Sequence, residues 1–424
     1  MTATALRREV TYVSPTRQRV MGVLFLVLAF GIYWLFARVT SADQITTFVL
    51  TPGGVREGAL PDWLLPARTT LYVLAMIAAV LGGVQLVRGF GRATNGVLGL
   101  VTLAFIFGFL VWAAAGQSLN LVGMLGTTLL RAVPLTLGAL SGVLCERSGV
   151  VNIAIEGMML SAAMVATVVG SVTHNLWLGL LSAIVTGALM ALLHAVLSIK
   201  YKVNQIVSGT VINIFATGFT SYISAKFLQV YQTLNNPGTF SRWPIPGLSS
   251  IPLLGPIAFN GNLFLYATFI LLFVVHFALF STRWGLRLRS VGEHPKAADT
   301  LGINVFKTRY MAVLLGGMMA GFAGAYFTLG SVGRFDEVMT AGRGFISLAA
   351  MIFGNWTPFG SFGAGLIFGF ADSLATKLAI LGVQIPSEFL LMAPYLATMV
   401  VLAGVVGRGH MPAADGTPYE KEEL

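Results

Sequence analysis

Long apolar stretches constrain this chain more than any other feature. Apolar residues make up 56% of its 424 residues, and charged residues make up only 10%. The apolar residues gather in runs of about 18 to 24, close to the 20 that span the hydrocarbon core of a bilayer as a helix. A water-soluble fold would expose far too much apolar surface. The sequence therefore predicts an all-α protein, a polytopic bundle of membrane helices.

We predict about 10 to 12 membrane segments. Residues 1–19 and 407–424 are predicted as cytoplasmic tails that are polar and disordered. A re-entrant hairpin is possible at the short pair of segments 344–357 and 360–380. The segments lie near residues 20–37, 70–87, 96–115, 121–144, 150–170, 176–198, 205–228, 261–281, 309–330, 344–357, 360–380 and 386–406.

The basic residues favour one orientation of these segments. With a cytoplasmic N-terminus, 17 of the 26 Lys and Arg fall inside and seven outside, while Arg131 and Lys377 lie within segments. The positive-inside rule therefore predicts that both termini are cytoplasmic. Topology then accounts for the net charge of +10, and no nucleic-acid partner is needed. An alternative for 20–37 is a signal peptide that follows Arg7 and Arg8, although 18 apolar residues are long for one.

Motifs for catalysis or ATP binding are absent from the sequence. The five histidines have no metal-ligand spacing, there is no G-x-S-x-G or paired-carboxylate motif, and Cys145 is the only cysteine. We therefore predict that the chain is not an enzyme and holds no cofactor or metal. It also lacks G-x-x-x-x-G-K-[ST], so that any energy from ATP must come from another polypeptide.

A weak internal repeat favours transport over a receptor or structural role. Each copy has a basic residue, two small residues one helical turn apart and a glycine-punctuated segment, and transporters often place the substrate route between such copies. The small residues also predict close helix packing, as does the pair Gly365 and Gly369. The copies run from Arg131 through Gly138 and Gly142 to 149–157, and from Arg309 through Gly317 and Gly321 to 342–350.

Polar residues at membrane depth are the candidates for a substrate pathway, because an intramembrane charge is costly and is kept for packing or function. Gly149 and Gly157 bracket a stretch that could unwind and free backbone groups for a polar ligand. The alternative for Glu156 is an ion pair with Arg131. Asp372 and Lys377 could form a relay, although positioning near a membrane end is the simpler interpretation. The predicted pathway residues are Arg131, Asn152, Glu156, Asn213 and Trp356.

A basic, helix-competent loop from Arg283 to Ile303 interrupts the apolar chain. Its second half, Gly292-Glu-His-Pro-Lys-Ala-Ala-Asp-Thr-Leu-Gly-Ile303, resembles the coupling-loop signature of permease subunits of ABC importers, in the family that serves branched-chain amino acids, simple sugars and nucleosides. The segments 146–159 and 342–356 resemble two further signatures of its nucleoside and simple-sugar branch. The resemblance covers about 120–406, as an ABC permease transmembrane domain, and leaves 20–115 as extra N-terminal spans.

The resemblance implies a permease subunit in the cytoplasmic membrane of a prokaryote. Its expected partners are cytoplasmic ATP-binding subunits, a second and different permease subunit, an extracytoplasmic solute-binding protein and a small-molecule substrate, with a nucleoside preferred and a simple sugar next. Trp356 could stack on a base, or anchor a membrane end. The coupling residues that it implies are Glu293, Pro295, Ala297, Ala298, Gly302 and Ile303.

Two other functions stay open on the residues alone. An ion- or proton-coupled carrier would transport its solute without a partner, and a membrane scaffold would transport nothing. The simplest alternative for the basic loop is an anchor at the membrane surface. An anchor, however, does not require glycine, proline and alanine together in the segment 292–303.

Overall fold

The computed structural model describes residues 14–51, 60–382, 389, 392 and 410–421. The chain divides into two compact units, 1–123 with 377–384 and 124–376 with 385–424. The predicted segment 386–406 lies outside the described residues, apart from Phe389 and Met392. The helices are α1 Pro15–Gly31, α2 Ala67–Val87, α3 Thr94–Ala113, α4 Leu121–Glu146, α5 Ile155–Thr173, α6 Leu176–Ala195, α7 Gln205–Ile223, α8 Leu254–Ala258, α9 Leu263–Ser281, α10 Arg283–Glu293, α11 Pro295–Thr300, α12 Val305–Phe327, α13 Arg343–Phe353 and α14 Pro358–Ile380.

Ten helices in the described part of the chain are long and apolar enough to cross a membrane, which confirms the predicted helical bundle. Four π-helical turns lengthen these helices, at Ile32–Ala37, Val196–Lys200, Ser224–Leu228 and Thr328–Val332. The helix α13 has only 11 residues, a length of about 16 Å against a core of roughly 30 Å. It is therefore too short to cross by itself, whereas α14 with 23 residues is long enough. The re-entrant hairpin of 344–357 and 360–380 stays a prediction.

The first unit packs α1 against α2 through glycine. A Cβ atom at Gly22 would lie 2.6 Å from the Leu86 side chain, and one at Gly82 would lie 2.8 Å from that of Leu26. A small sheet adds to the all-α prediction: β1 (Ile45–Val49) pairs antiparallel with β2 (Trp63–Pro66) and parallel with β3 (Ser118–Asn120). The Ile-Thr-Thr-Phe-Val sequence of β1 is β-branched and aromatic, which suits a strand.

The second unit is built around α5, most of which is buried. The helices α6, α7 and α12 pack against it. Small-residue pairs allow close packing of other helices as predicted: a Cβ atom at Gly138 of α4 would lie 2.5 Å from Ser347 Oγ of α13, and one at Gly317 of α12 would lie 2.5 Å from the Gly187 carbonyl oxygen of α6. Outside the helices, β4 (Trp243–Pro244) pairs antiparallel with β5 (Asn260–Gly261).

Residues 410–421 of the second unit contain turns but no helix or strand. We call them the tail segment. It is packed against the loop of α10 and α11, with the Ala414 amide donating to the Gly292 carbonyl at 2.9 Å and Arg309 donating to the Thr417 carbonyl at 2.9 Å. The prediction of a disordered tail is therefore wrong for these residues. In both of these hydrogen bonds the tail contributes backbone groups, which composition does not reveal.

Candidate transport route and docking surface

The chain between α4 and α5 is broken at residues 147–154, which are not helical. This agrees with the predicted unwinding, except that the helix resumes at Ile155, so that Gly157 lies within α5. Side chains occupy the freed backbone groups. Val151 donates its amide to Gln205 Oε1 at 2.7 Å, and its carbonyl oxygen lies 2.9 Å from His194 Nε2. The amide and carbonyl of Val151 therefore bond within the protein and stabilise the break without a ligand.

Asn152 and Asn213 hold the same break in place. Asn152 is fully buried, and its Oδ1 accepts from the Ala154 amide at 3.1 Å. Asn213 donates to the Ile153 carbonyl at 2.9 Å and accepts from the Gly157 amide at 2.8 Å. The Asn152 oxygen and both polar atoms of the Asn213 side chain thus bond the backbone of 152–157, while Asn152 Nδ2 faces the sulfur atoms of Cys145 and Met158.

Glu156 joins the broken segment to the start of α13. Its buried carboxylate accepts from Thr340 Oγ1 at 2.6 Å, from the Gly342 amide at 2.9 Å and from the Gly344 amide at 2.6 Å. A carboxylate at a helix N-terminus satisfies unpaired amides and complements the helix dipole. The alternative that Glu156 pairs with Arg131 is therefore wrong.

Glycine on the α13 side permits this contact. Gly342 has a φ of +79°, which a residue with a side chain adopts only at a cost. A Cβ atom at Gly344 would lie 2.5 Å from the Glu156 Cα atom. The motif segments 146–159 and 342–356 thus meet at these residues, and form one structural unit.

Arg131 instead lies in a charged cluster with Asp372 and Arg343. Its Nη1 is 2.5 Å from Asp372 Oδ2, and Arg343 Nη2 is 3.7 Å from the same oxygen. The three side chains are 27–32% exposed. Arg131 is ten residues from the start of α4 and fifteen from its end, so it lies about 15 Å and 22 Å from the two ends, near mid-membrane depth.

Arg343 was not among the residues predicted for the substrate pathway, and the charge distribution placed it on the outer side of the membrane. The sequence feature that could have identified Arg343 is its position between Gly342 and Gly344 in the motif segment 342–356. The guanidinium also lies 5.7 Å from the centre of the Phe327 ring. Lys377, the other residue of the predicted relay, lies in the last turn of α14.

Trp356 lies in the turn between α13 and α14. Its indole is 6% exposed, and Nε1 donates to Glu146 Oε2 at 2.6 Å. Arg147 Nε donates to the Trp356 carbonyl at 2.9 Å. The ring is therefore packed within the protein, and it fastens the α13–α14 turn to the end of α4. Nothing in this arrangement exposes a face for stacking on a base.

The coupling-loop motif folds as two capped helices. Thr282 Oγ1 accepts from the Gly285 amide at 3.1 Å and caps α10, and His294 Nδ1 accepts from the Ala297 amide at 3.1 Å and caps α11. Pro295 is the first residue of α11, where its fixed φ suits a helix and its missing N–H costs nothing. The loop is therefore held by specific local bonds.

The end of α11 is a Schellman motif. The Gly302 amide donates to the Asp299 carbonyl at 2.9 Å, and the Ile303 amide donates to that of Ala298 at 3.0 Å. Gly302 has the left-handed φ of +80° that this motif places after the helix. Ile303 packs against the buried cluster that contains Ala298. Two of the predicted coupling residues thus terminate the helix.

The outer side of α11 is exposed. Ala297 is exposed there, as is Glu293 at the end of α10, whereas Ala298 is only 2% exposed and faces inward. Leu301, which the sequence analysis did not single out, is 81% exposed. An apolar side chain this prominent in a polar loop is typical of a contact site. We call Lys296, Ala297, Thr300 and Leu301 the α11 face.

These features define a multi-pass membrane protein with charged residues at mid-membrane depth and a capped, exposed loop, as a membrane transport subunit has. The sequence pattern of the family described as branched-chain amino acid transport system / permease component matches residues 124–406. The chain belongs to this family.

Curated relatives match along most of their own length. The guanosine ABC transporter permease protein NupQ of Bacillus subtilis is 44% identical over 311 residues, which are 69% of this chain and 95% of the relative. The nucleoside ABC transporter permease protein NupC of Lactococcus lactis is 41% identical, over 70% and 96%. The putative glucose ABC transporter permease protein TsgC13 of Haloferax volcanii is 36% identical, over 68% and 92%. No solved structure matches the chain.

Proposed function

We propose that the protein is the permease subunit of an ABC importer that moves a nucleoside, or second a simple sugar, across the cytoplasmic membrane of a prokaryote. Relatives named as guanosine and nucleoside permeases are 44% and 41% identical, and a putative glucose permease is 36% identical. Because the chain has no P-loop, separate cytoplasmic subunits hydrolyse the ATP.

The exposed α11 face carries this proposal. A helix with defined caps at both ends presents Leu301, 81% exposed, without further ordering of the loop. Preorganisation of this kind lowers the cost of binding. The ATPase subunit docks on this face, and Glu293, Pro295, Gly302 and Ile303 keep the two helices of the loop in position.

A second permease subunit and an extracytoplasmic solute-binding protein complete the importer. Two guanosine ABC transporter permease proteins of Bacillus subtilis, NupQ and NupP, match this chain at 44% and 27% identity. Two nucleoside permease proteins of Lactococcus lactis, NupC and NupB, match at 41% and 22%. These pairs support an assembly of two different permease chains.

Contiguous contacts link the α11 face to the charged cluster. The loop touches the break between α4 and α5, since a Cβ atom at Gly292 would lie 2.3 Å from the Arg147 carbonyl oxygen. The break leads to Glu156, which binds the start of α13, and Arg343 there reaches Asp372. Movement of the loop on ATP binding shifts these elements together and opens the route.

The charged cluster lies on the substrate route in this proposal. Two guanidinium groups and one carboxylate at partly exposed, mid-membrane positions offer donors and an acceptor to a hydroxylated solute. Their excess positive charge disfavours cations. A neutral nucleoside or sugar fits this chemistry better than a cationic amino acid.

Uptake by reconstituted vesicles tests the docking role. We would compare Leu301→Glu with the control Leu248→Glu, a leucine that is 41% exposed in the loop after α7. The full importer should show ATP-dependent guanosine uptake that Leu301→Glu abolishes and Leu248→Glu leaves unchanged. Normal uptake by Leu301→Glu would refute docking on this face.

The same vesicles separate the competing functions. Vesicles with this chain alone should transport nothing, whereas a secondary carrier would transport without ATP. Competition of labelled guanosine uptake by unlabelled guanosine, glucose and leucine orders the substrates. Uptake of glucose that guanosine does not inhibit would reject the nucleoside preference.

A further inference from the structure

The tail segment binds the loop of residues 283–303 and two neighbouring parts of the chain. Besides the Ala414 amide on Gly292, the Ala413 amide donates to Glu293 Oε2 at 3.2 Å. At its start, the His410 amide donates to Asn355 Oδ1 at 2.6 Å. At its end, Glu420 Oε1 lies 2.6 Å from Lys202 Nζ. The segment therefore runs from the α13–α14 turn across α10 to the chain that follows α6.

Tyr419 fastens the tail beneath α11. Its side chain is 6% exposed and belongs to a buried cluster with Val291, Ala298 and Val305. The ring centre lies 5.4 Å from that of Phe306. The inward side of α11 thus packs on the tail, which explains why Ala298 is buried. The position of the α11 face depends on residues more than 110 positions away in the sequence.

A cleft of about 550 Å³ lies beside α11, and the tail forms its second wall. One wall carries Lys296, Asp299 and Gly302, and the other carries Tyr419, Glu420 and Lys421. The docked tail leaves the α11 face uncovered, since Leu301 is 81% exposed in its presence. A protein that docks on α11 therefore also meets the tail.

We propose that residues 410–421 are part of the surface that receives the ATPase subunit. The tail supplies the second wall of the docking cleft and holds α11 from beneath, so that it takes part in binding. This inference rests on the proposed function of the α11 face. Because the tail borders that face without covering it, it acts as a support for docking and not as an inhibitor.

A charge exchange tests the proposal without disturbing buried groups. Glu420 and Lys202 are both exposed, with side chains 73% and 44% accessible. Glu420→Lys should detach the end of the tail by repulsion, and Lys202→Glu in the same chain should restore the pair. We would measure retention of the importer's own purified ATP-binding subunit on the detergent-solubilised permease assembly. The expected result is a loss of affinity of about tenfold, which the double variant recovers in part, because Lys296 of the α11 face also attracts Glu420.

A truncation after Arg408 tests the whole segment, with a truncation after Lys421 as its control. The first should abolish retention and the second should not. Thermal unfolding of each permease checks the fold. If the truncated chain unfolds, the variants of the exposed Glu420–Lys202 pair still test the proposal. Unchanged or tighter binding by Glu420→Lys would overturn the proposal.

The two proposals fail in different ways. If Leu301→Glu abolishes binding while Glu420→Lys has no effect, docking on α11 stands and the role of the tail is rejected. If Leu301→Glu itself leaves binding unchanged, the docking function fails, and the tail proposal fails with it.

Discussion

Glu156 shows how a functional prediction for a single residue changes once its partners are known. A carboxylate at membrane depth is a reasonable candidate for a substrate pathway, but this one accepts from Thr340 and two amides of the α13 start. Its partners lie about 185 positions along the chain, and two of them are backbone groups. Sequence reasoning could identify the residue type as unusual, but not its partners.

Replacing Glu156 by Gln should destabilise the protein. The carboxylate has two acceptor oxygens, and the glutamine side chain has one. Its NH₂ group must therefore replace the oxygen that accepts from the Gly344 amide or the one that accepts from Thr340 and the Gly342 amide, and a donor then faces a donor. Leaving a buried donor unsatisfied costs about 1–3 kcal/mol. Thermal and denaturant unfolding in detergent measure the loss. The control is Thr210→Val on α7, which removes an exposed hydrogen bond to the Ile206 carbonyl and should hardly change stability. Equal losses of stability in both variants would contradict the role given to Glu156.

Asp415 makes attachment of the tail sensitive to pH. Burial raises the pKa of this carboxyl to about 7, although Glu146, the Gly416 amide and the Arg309 guanidinium oppose the shift. Glu146 is the other acid beside it. In a detached tail the pKa would be about 3.9. Docking therefore takes up a proton, and attachment is strongest below about pH 4, weakens as the pH rises and levels off above about 7.

Amide hydrogen exchange of the tail measures this dependence. After correction for intrinsic exchange, protection of the Ala414 amide should fall between pH 5 and pH 8. Asp415→Asn removes the ionisation, so that its protection should stay high at pH 8 and vary little. Protection that increases with pH in the unsubstituted protein would show that the ionised form is the docked one.

At the scale of helices, the sequence predicted most of the structure because the bilayer leaves few choices. Apolar runs of the right length predicted the ten long helices, whereas the end of α11 at Gly302 was found only in the structure. The tail and the β1–β3 sheet were missed. The contacts of the tail join groups far apart in the chain, which local sequence does not show, whereas the β-branched and aromatic residues of β1 did carry a signal.

The packing of α10 gives a prediction at this scale. Gly292→Ala would put a Cβ atom 2.3 Å from the Arg147 carbonyl oxygen, so α10 must move away from the break between α4 and α5. Overpacking of this kind costs about 1–3 kcal/mol, and the proposed path from the loop to the route would be displaced. We expect ATP hydrolysis by the assembled importer to continue while uptake falls.

The control is Gly218→Ala in the exposed part of α7, where no atom lies within 4 Å of the new Cβ. Alanine also favours a helix over glycine, so stability and uptake should be kept. Equal uptake by Gly292→Ala and Gly218→Ala would show that contact at Gly292 does not transmit movement.

Across the whole molecule, the charged cluster draws on residues 131, 343 and 372, from three different helices. The sequence marked Arg131 and Asp372 as unusual and offered Glu156 and Lys377 only as alternative partners, whereas the structure pairs the two residues with each other. Helix periodicity can show which residues share a helix face, but it cannot show which helices are neighbours. The cluster could therefore be inferred only in part before the packing was known.

Charge substitutions in the cluster separate a structural role from a role in transport. In Asp372→Asn, Arg131 and Arg343 lose the carboxylate that joins them. An unpaired charge at mid-membrane costs roughly 2.5–3.5 kcal/mol on insertion scales, so this variant should lose both stability and uptake. The double variant Arg131→Asp with Asp372→Arg keeps an opposite pair, and its stability should recover in large part.

Uptake is the decisive measurement, because the exchange reverses the positions of the donors and the acceptor along the route. If the cluster contacts the solute, guanosine uptake should stay low in the stable double variant, while ATP hydrolysis and subunit assembly are kept. If the cluster only joins α4, α13 and α14, uptake should recover together with the unfolding temperature. Recovery of both would remove Arg131 and Asp372 from the substrate route, because their charges would then matter only to helix packing.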